Sequence, residues 1–485
     1  MKMFFENSRE IGKKDTVLVF TYEGFDFKTL PTKMEFMRTY GTALYFSELK
    51  NPLYLPSDKE ADLIVVPLKN GDVIELETIR SASAQAARVA MQHKNSAIKI
   101  VLPEIDNFSR EELAVSITEG VTLGGYVFNR YKSGDDDTAT SLESCTFLGE
   151  TGEYKEKVLN TALVCNNSNL CRDMVNSGTE EVNPDSIEKA ATVIAKIKNM
   201  SMRVLNEKKL ISKKMNLICA VGRAGRYRPR ILELKYKGGK SSDKWIAFVG
   251  KGVTFDTGGL DVKPAAGMLD MRYDMAGAAS VLYAIKSIAE LKLPVNVYAV
   301  IPLVENAVDS QSYKPGDVFV SYSGKSVHVQ NTDAEGRLIL ADAVTYAEKD
   351  LKADYIIDMA TLTGACSIAL GSEYAALVTY DDKLKDALVS SSIKTGEKLW
   401  QLPINKAYEK LIKSDIADIA NISADRKAGT IVGAAFIKQF VDKSRWAHID
   451  IASTAWADNA GAMYGKYSTG YGVRLLTDFA SGPLL

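Results

Sequence analysis

The sequence predicts a two-domain α/β protein. An N-terminal α/β domain with a mixed sheet covers residues 1–150, a linker helix covers 151–178, and a larger C-terminal α/β/α domain covers 179–485. Three observations predict it. Short β-branched runs alternate with helix-forming segments along the chain, the pattern of a parallel or mixed sheet covered by helices. The length, 485 residues, exceeds what one hydrophobic core usually serves. Hydrophobic residues make up 46% and charged residues 25%, the profile of a globular chain.

In the first domain, residues 15–21, 61–67 and 97–102 read as strands, and 81–92 and 111–128 suit helices. Paired carboxylates, a reactive cysteine and a glycine-rich phosphate loop are all missing there, so an assembly or regulatory role is expected. The run Ser133-Gly134-Asp135-Asp136-Asp137-Thr138 lacks the spacing of a calcium loop and reads as a solvated turn. Residues 153–175 form the long linking helix, ended by Asn176-Ser177-Gly178. In the second domain a helix is expected over 185–198. Strands are expected over 217–222, 245–250, 296–302, 325–329, 355–359 and 446–452. A helix follows the strand at 325–329, over 338–348. In such sheets ligand sites form at the carboxyl ends of strands. Lys251, Asp333 and Thr361 all fall just after predicted strands.

Several function classes drop out. Net charge is −1, so nothing overall draws the chain to nucleic acid. The stretch Arg223–Arg230 holds four arginines and Tyr227, but no second basic cluster supports it, and a solvated loop is expected. Gly239-Lys240-Ser241 looks like the end of a phosphate loop, yet the required earlier glycine is Leu234. No apolar run is long enough to span a bilayer, so no membrane partner is expected. Five cysteines without a CxxC pair, and an N-terminus without an apolar core, predict a reduced, cytoplasmic protein. The three histidines, His93, His328 and His448, form no HExxH pair. A metal site here has to be built mainly of carboxylates.

The stretch Asn331-Thr332-Asp333-Ala334-Glu335-Gly336-Arg337-Leu338 supplies them, on a strand-to-helix connection. Gly336 lets the backbone turn sharply there. Asp256 and Asp274 stand on two earlier connections. Four carboxylates converging in one cleft repel each other unless cations neutralise them, and two divalent ions would do so. Asp274, standing before a helix, also suits an N-cap.

The stretch Asn331–Leu338 carries the NTDAEGRL signature, so the chain resembles the M17 leucyl aminopeptidase family. The resemblance extends through Gly250–Lys263, Asp274–Ala279, Thr361–Ala365 and Asp450–Trp456, about the last two thirds of the chain. It implies that Lys251, Asp256, Asp274, Asp333 and Glu335 are ligands of a two-metal centre, with Asp256 and Glu335 bridging. It implies Mn2+ or Zn2+ as the ions, with Mg2+ and Co2+ as alternatives. Lys263 would stabilise the oxyanion. Arg337 would hold bicarbonate as the general base toward a metal-activated water. Asp274 would receive the substrate's α-amine. Thr361, Leu362 and Gly364 would line the peptide. Met271, Thr361, Gly364, Ala452 and Ala455 would shape an apolar pocket for the first residue. The implied partners are peptide substrates and further copies of the chain in a homohexamer. A Cys-Gly dipeptidase and a DNA-binding regulatory role are alternatives that family members also suggest, and a two-metal phosphoesterase would use similar carboxylates. His328 departs from the resemblance, standing where the family often has an acid.

Overall fold

The computed structural model describes residues 1–7, 10–22, 49–58, 60–68, 74–133, 141–240 and 243–482. Most of the acidic run ending at Thr138 lies outside the described residues. The chain divides into two units: Met1–Asn169 with Asp458–Lys466, and Leu170–Ala457 with Tyr467–Leu485. The division falls within one long helix, Lys155–Asn176.

The first unit holds a six-stranded sheet. Its order is Lys2–Glu6, Ser144–Leu148, Ala97–Val101, Thr16–Thr21, Asp62–Pro67 and Leu53–Leu55. Only the last pair is antiparallel, so the sheet is mixed. Helices Leu76–Gln92 and Arg110–Gly124 pack with it. The second begins at a capping box in which Ser109 and Glu112 satisfy each other's backbone N–H.

The second unit is built on a nine-stranded sheet. In order, it runs Leu399–Gln401, Ala375–Val378, Arg445–Asp450, Tyr355–Ala360, Trp245–Gly250, Asn296–Asn306, Arg230–Lys237 and Met200–Leu205. The short strand Gly252–Asp256 also pairs with Asn296–Asn306. The four central strands are parallel, and antiparallel pairs flank them. Both sheet faces are covered. Phe248 meets Phe479 of the Val473–Ser481 helix on one side. Its neighbours Ala247 and Val249 join the core made by Leu338, Ile339 and Val344 on the other. Side chains alternate across a strand, so a fully apolar run such as 246–249 fits a strand buried on both faces.

Two expectations fail here. Residues 217–222 form a helix, Asn216–Gly222, and not a strand. The Asp342 carboxylate accepts from the N–H groups of Leu217 and Ile218 at 3.0 and 3.2 Å. It therefore caps this helix from a distance of more than a hundred residues, which local sequence cannot reveal. The helix expected over 185–198 is shorter, Pro184–Ile194.

The helix Glu335–Lys349 decides where the site lies. It is buried from Glu335 through Ala347. Such a helix sits inside the fold rather than on its surface. Its N-terminus therefore delivers Glu335 and Arg337 into the interior, beside the carboxyl ends of the parallel strands.

Candidate active site

Four segments converge at those strand ends. The Trp245–Gly250 strand ends just before Lys251, and Asp256 ends the Gly252–Asp256 strand. Asp274 lies in a 3-10 turn, Met271–Met275, ahead of the Ala276–Glu290 helix. Asp333 and Glu335 lie at the start of the buried helix. Thr332 ties two of these segments together. Its N–H donates to Asp261 Oδ2 at 2.7 Å, and its hydroxyl donates to Gly258 O at 2.7 Å. Gly258 and Gly259 have φ of +86° and +67°, and this double left-handed turn brings the chain back toward Asp333.

The resulting cluster is dense in charge. Lys251 Nζ donates to Asp274 Oδ1 at 2.7 Å and Thr361 O at 2.8 Å, and lies 2.9 Å from Glu335 Oε1. Lys263 Nζ lies 2.9 Å from Asp256 Oδ2 and 2.5 Å from Asp333 Oδ1. Asp256, Asp333 and Glu335 offer carboxylate oxygens that all lie within 4.8 Å of one another. All five residues expected as ligands, and Lys263, are thus in one place.

Burial and crowding set the proton affinities. Burial, then Glu335, pushes the Asp256 carboxyl up to about 6, against the pull of Lys263 and Lys251. Burial also drives Asp274 well above its ordinary value, and Asp333 upward. Glu335 is the exception: burial opposes its charge, but Lys251 and Lys263 hold it below the usual range. Burial likewise opposes the lysine charges, yet Asp274 for Lys251 and Asp256 for Lys263 lead the carboxylates that keep both ammonium groups protonated.

Three expectations change. Asp274 is no N-cap: the following helix has none from a side chain, and Asp274 Oδ1 instead accepts from Lys251 and Thr361. Gly336 does not turn the chain; it lies in the first turn of the helix. It is needed because Lys251 crosses it, and a methyl group there would meet Lys251 Cε at 2.5 Å. His328 Nδ1 lies 3.2 Å from Ser414 Oγ and 3.4 Å from Gln330 Nε2, neither of them a residue of the cluster.

Arg337 is buried, and its Nη1 donates to Asn421 O at 2.7 Å. Its Nε has no protein partner, and it forms no ion pair among the described residues. Burial pulls its guanidinium down to about 10. Of the residues expected to line the peptide, Thr361 touches this centre directly. Thr361 donates its hydroxyl to Asp274, and the Leu362 N–H donates to Asp450 Oδ1 at 3.0 Å. A methyl group on Gly364 would meet nothing within 4 Å. Ala452 donates its N–H to Asp450, Ala455 is buried, and Met271 is half-buried beside Asp274.

Sequence reasoning missed Asn306 and Asn421. Asn306 Nδ2 donates to Asp256 Oδ1 and Thr332 O at 2.8 and 3.1 Å. With the Gly258 N–H on the same oxygen at 2.8 Å, it fixes the Asp256 carboxylate and leaves Oδ2 facing Lys263. Asn421 accepts from the Gln330 and Asn331 N–H groups and donates to Asn331 O. Neither belongs to a motif that the sequence singles out, so only the buried strand end at Asn306 offered a signal.

Comparison with known proteins adds a second line. Residues 169–477 match the model for the catalytic domain of the cytosol aminopeptidase family, peptidase M17, and 51–135 match its N-terminal domain. A probable cytosol aminopeptidase of Protochlamydia amoebophila is 37% identical over 431 residues, covering 88% of this chain and 86% of that one. One from Geobacter sp. strain M21 is 40% identical over 428 residues, with the same coverage of 88% and 86%. A solved structure described as the bottromycin maturation enzyme BotP in complex with Mn has a TM-score of 0.86 and 29% identity. It covers 96% of this chain and 99% of its own.

Proposed function

Because the chain belongs to the cytosol aminopeptidase family, a family of peptidase hydrolases, we propose that it is a two-metal aminopeptidase. It removes the first residue, mainly Leu, Met and other apolar residues, from peptides. The observation that carries this is the packing of Lys251, Lys263 and four carboxylates into one cluster without a histidine, buried except at Lys263 and Asp333.

The residues fit a pair of divalent cations. Asp274 Oδ2 is buried without a protein partner, which is costly for a carboxylate unless a cation meets it. Lys251, Asp256, Asp274, Asp333 and Glu335 would hold the ions. An all-carboxylate and amine set accepts Mn2+, Zn2+, Mg2+ or Co2+, and the Mn in the BotP structure supports the first of these. The ions, when bound, supply Lewis acidity toward a water and the scissile carbonyl. Arg337 fits an anion. It is a buried cation in the first turn of a helix, where the helix dipole disfavours positive charge, and its Nε lacks a partner. A bicarbonate held there would supply the general base.

The chain's own groups do the rest. Lys251, to serve as a ligand, would give up the proton that Asp274 and Glu335 otherwise stabilise. Lys263 keeps its proton and places positive charge where the oxyanion develops. Asp274 anchors the free α-amine, which restricts cleavage to the first residue. Thr361, Leu362 and Gly364 align the peptide, and Met271, Ala452 and Ala455 with them form the apolar pocket. A homohexamer in the cytoplasm is the assembly proposed. Among the described residues no helix is long and apolar enough to cross a membrane. Each arginine of the 223–230 loop has a carboxylate partner within 4 Å, which supports a peptide substrate over nucleic acid.

The test is an assay on Xaa-peptide, Cys-Gly and aminoacyl-anilide panels after loading with Mn2+, Zn2+ or Co2+, with Glu335→Ala as control. Metal-dependent release of the first residue, lost in the control together with bound metal, is the expected result. Full turnover by the control sinks the site.

A further inference from the structure

The 3-10 turn Met271–Met275 is held differently at its two ends. Side chains three residues apart eclipse in such a turn, so Met271 shares a face with Asp274, while Arg272 and Tyr273 point elsewhere. At the Asp274 end, Lys251 and Thr361 grip the carboxylate, and the residue is buried. At the Met271 end the chain is half-buried, and the preceding residues 264–267 are exposed. Aromatic residues from a distant part of the chain meet it there. The Tyr273 ring stacks on Trp456, with centroids 5.3 Å apart and planes 24° apart. The Arg272 guanidinium lies 5.2 Å from the centre of the Trp456 ring and 6.0 Å from that of Tyr467. Trp456 and Tyr467 also touch each other, with centroids 5.3 Å apart.

Trp456–Ala457 and Tyr467–Ser468 form a two-stranded antiparallel ribbon. Ala455, immediately before it, accepts from the Thr469 N–H at 3.1 Å. The stack therefore joins the segment carrying Met271 to the segment carrying Ala455, and both residues belong to the apolar pocket proposed for the first side chain. Two features mark the stack as more than incidental packing. Tyr467 has φ of +77°, and a bulky residue in that region is strained and persists only where its surroundings hold it. Arg272 Nε is buried without a hydrogen-bond partner among the described residues. An arginine cannot shed its charge, so the guanidinium needs compensation, and the negative faces of two rings supply it. Asp270 Oδ1, 3.4 Å from Arg272 Nη2, is an acid of the same segment, so it ties the turn to nothing else.

We propose that Arg272, seated on Trp456 and Tyr467, is a positioning residue that fixes the width of the first-residue pocket by tying its Met271 wall to its Ala455 wall. This rests on the aminopeptidase reading, which gives that pocket its occupant. With the clamp open, the Met271 wall yields while Asp274 stays gripped by Lys251 and Thr361. A leucine then loses contacts, and a larger ring enters with less strain. Binding weakens and the preference for Leu over Phe shrinks, while the reacting centre keeps its geometry.

The experiment measures leucyl- and phenylalanyl-anilide hydrolysis by the metal-loaded full chain and by Arg272→Met, Trp456→Ala, Trp456→Phe and the Arg272→Met, Trp456→Ala double variant. Arg272→Met is expected to raise KM for the leucyl substrate about 10-fold with kcat within about threefold of the wild type, and to lower the Leu-to-Phe ratio of kcat/KM about fivefold. Trp456→Ala does the same, and Trp456→Phe, which keeps a ring in the stack, stays within about twofold of the wild-type ratio. The double variant is no worse than the worse single one, because each single change already opens the clamp. A contribution to folding alone lowers activity on both substrates alike, so an unchanged Leu-to-Phe ratio in Arg272→Met overturns the proposal. Single losses that multiply in the double variant overturn it too. The Arg272 side chain is 28% exposed, so Arg272→Met decides the matter if Trp456→Ala does not fold. Mn2+ affinity of Arg272→Met is expected to match the wild type, because Asp274 keeps its partners, and a drop of about 10-fold or more overturns the proposal. A wild type inactive on both anilides sinks the aminopeptidase reading instead. The clamp is then read from melting temperatures, where additive losses in the double variant overturn it.

Discussion

Gly336→Ala separates local propensity from tertiary packing. Within a helix, Ala is favoured over Gly by about 1 kcal/mol, so on propensity alone the substitution stabilises the chain. The structure reverses this. The added methyl would lie 2.5 Å from Lys251 Cε and 2.8 Å from both Cδ and Nζ. Carbon atoms in contact sit about 3.5–4.0 Å apart, so the Lys251 side chain has to move by about 1 Å. A surface lysine would swing aside at little cost. Lys251 is buried, and its Nζ is held by Asp274, Thr361 O and Glu335. Overpacking of that kind costs about 1–3 kcal/mol, so net stability changes by roughly 2 kcal/mol at most. The effect on turnover is larger, because a misplacement of about 1 Å at a reacting centre lowers rates about 100-fold. The assay pairs thermal unfolding with leucyl-anilide turnover and Mn2+ binding by calorimetry. The expected result is a folded protein with weaker metal binding and about 1% of wild-type turnover. If metal affinity and turnover both match the wild type, Lys251 does not act where the structure puts it.

Lys263→Ala removes the cation between Asp256 and Asp333 without removing a ligand. Mn2+ affinity is expected to hold or tighten while kcat falls about 100- to 1000-fold, and kcat within threefold of the wild type would remove its oxyanion role. Glu348 gives a pH prediction. Burial opposes its charge, but the N–H groups of Ser444, Asp442 and Lys443 outweigh this and hold its folded pKa below the ordinary 4.5. A depressed folded pKa stabilises the fold above the unfolded value, and that stability is lost as pH falls through the folded value. Glu348→Gln is therefore expected to melt below the wild type at pH 7, with the gap narrowing as pH falls from 4.5 through the folded value. A gap that does not narrow anywhere in the acid range where the wild type still folds contradicts the assignment.

Local sequence was enough wherever neighbours in the chain are neighbours in space. The alternating strands and helices were legible because both sheet faces are buried and the β-branched runs are short and clean. The carboxylates of Asn331–Leu338 were legible because one strand-to-helix connection carries them together. Two readings failed where a distant group overrode local preference. Residues 217–222 are rich in β-formers, yet the Asp342 carboxylate caps them into a helix. Asp274 stands where an N-cap would, yet Lys251 and Thr361 hold its oxygen.

Sequence by itself therefore determined the fold class, the carboxylate-rich chemistry without histidine, and which residues could take part. Tertiary structure decided which of them meet, and in what state of charge. Asn306, Asn421 and the stack of Arg272 on Trp456 became visible only there. Buried charge is a property of all the groups around it, and those groups are brought together by the sheet, not by the order of the chain.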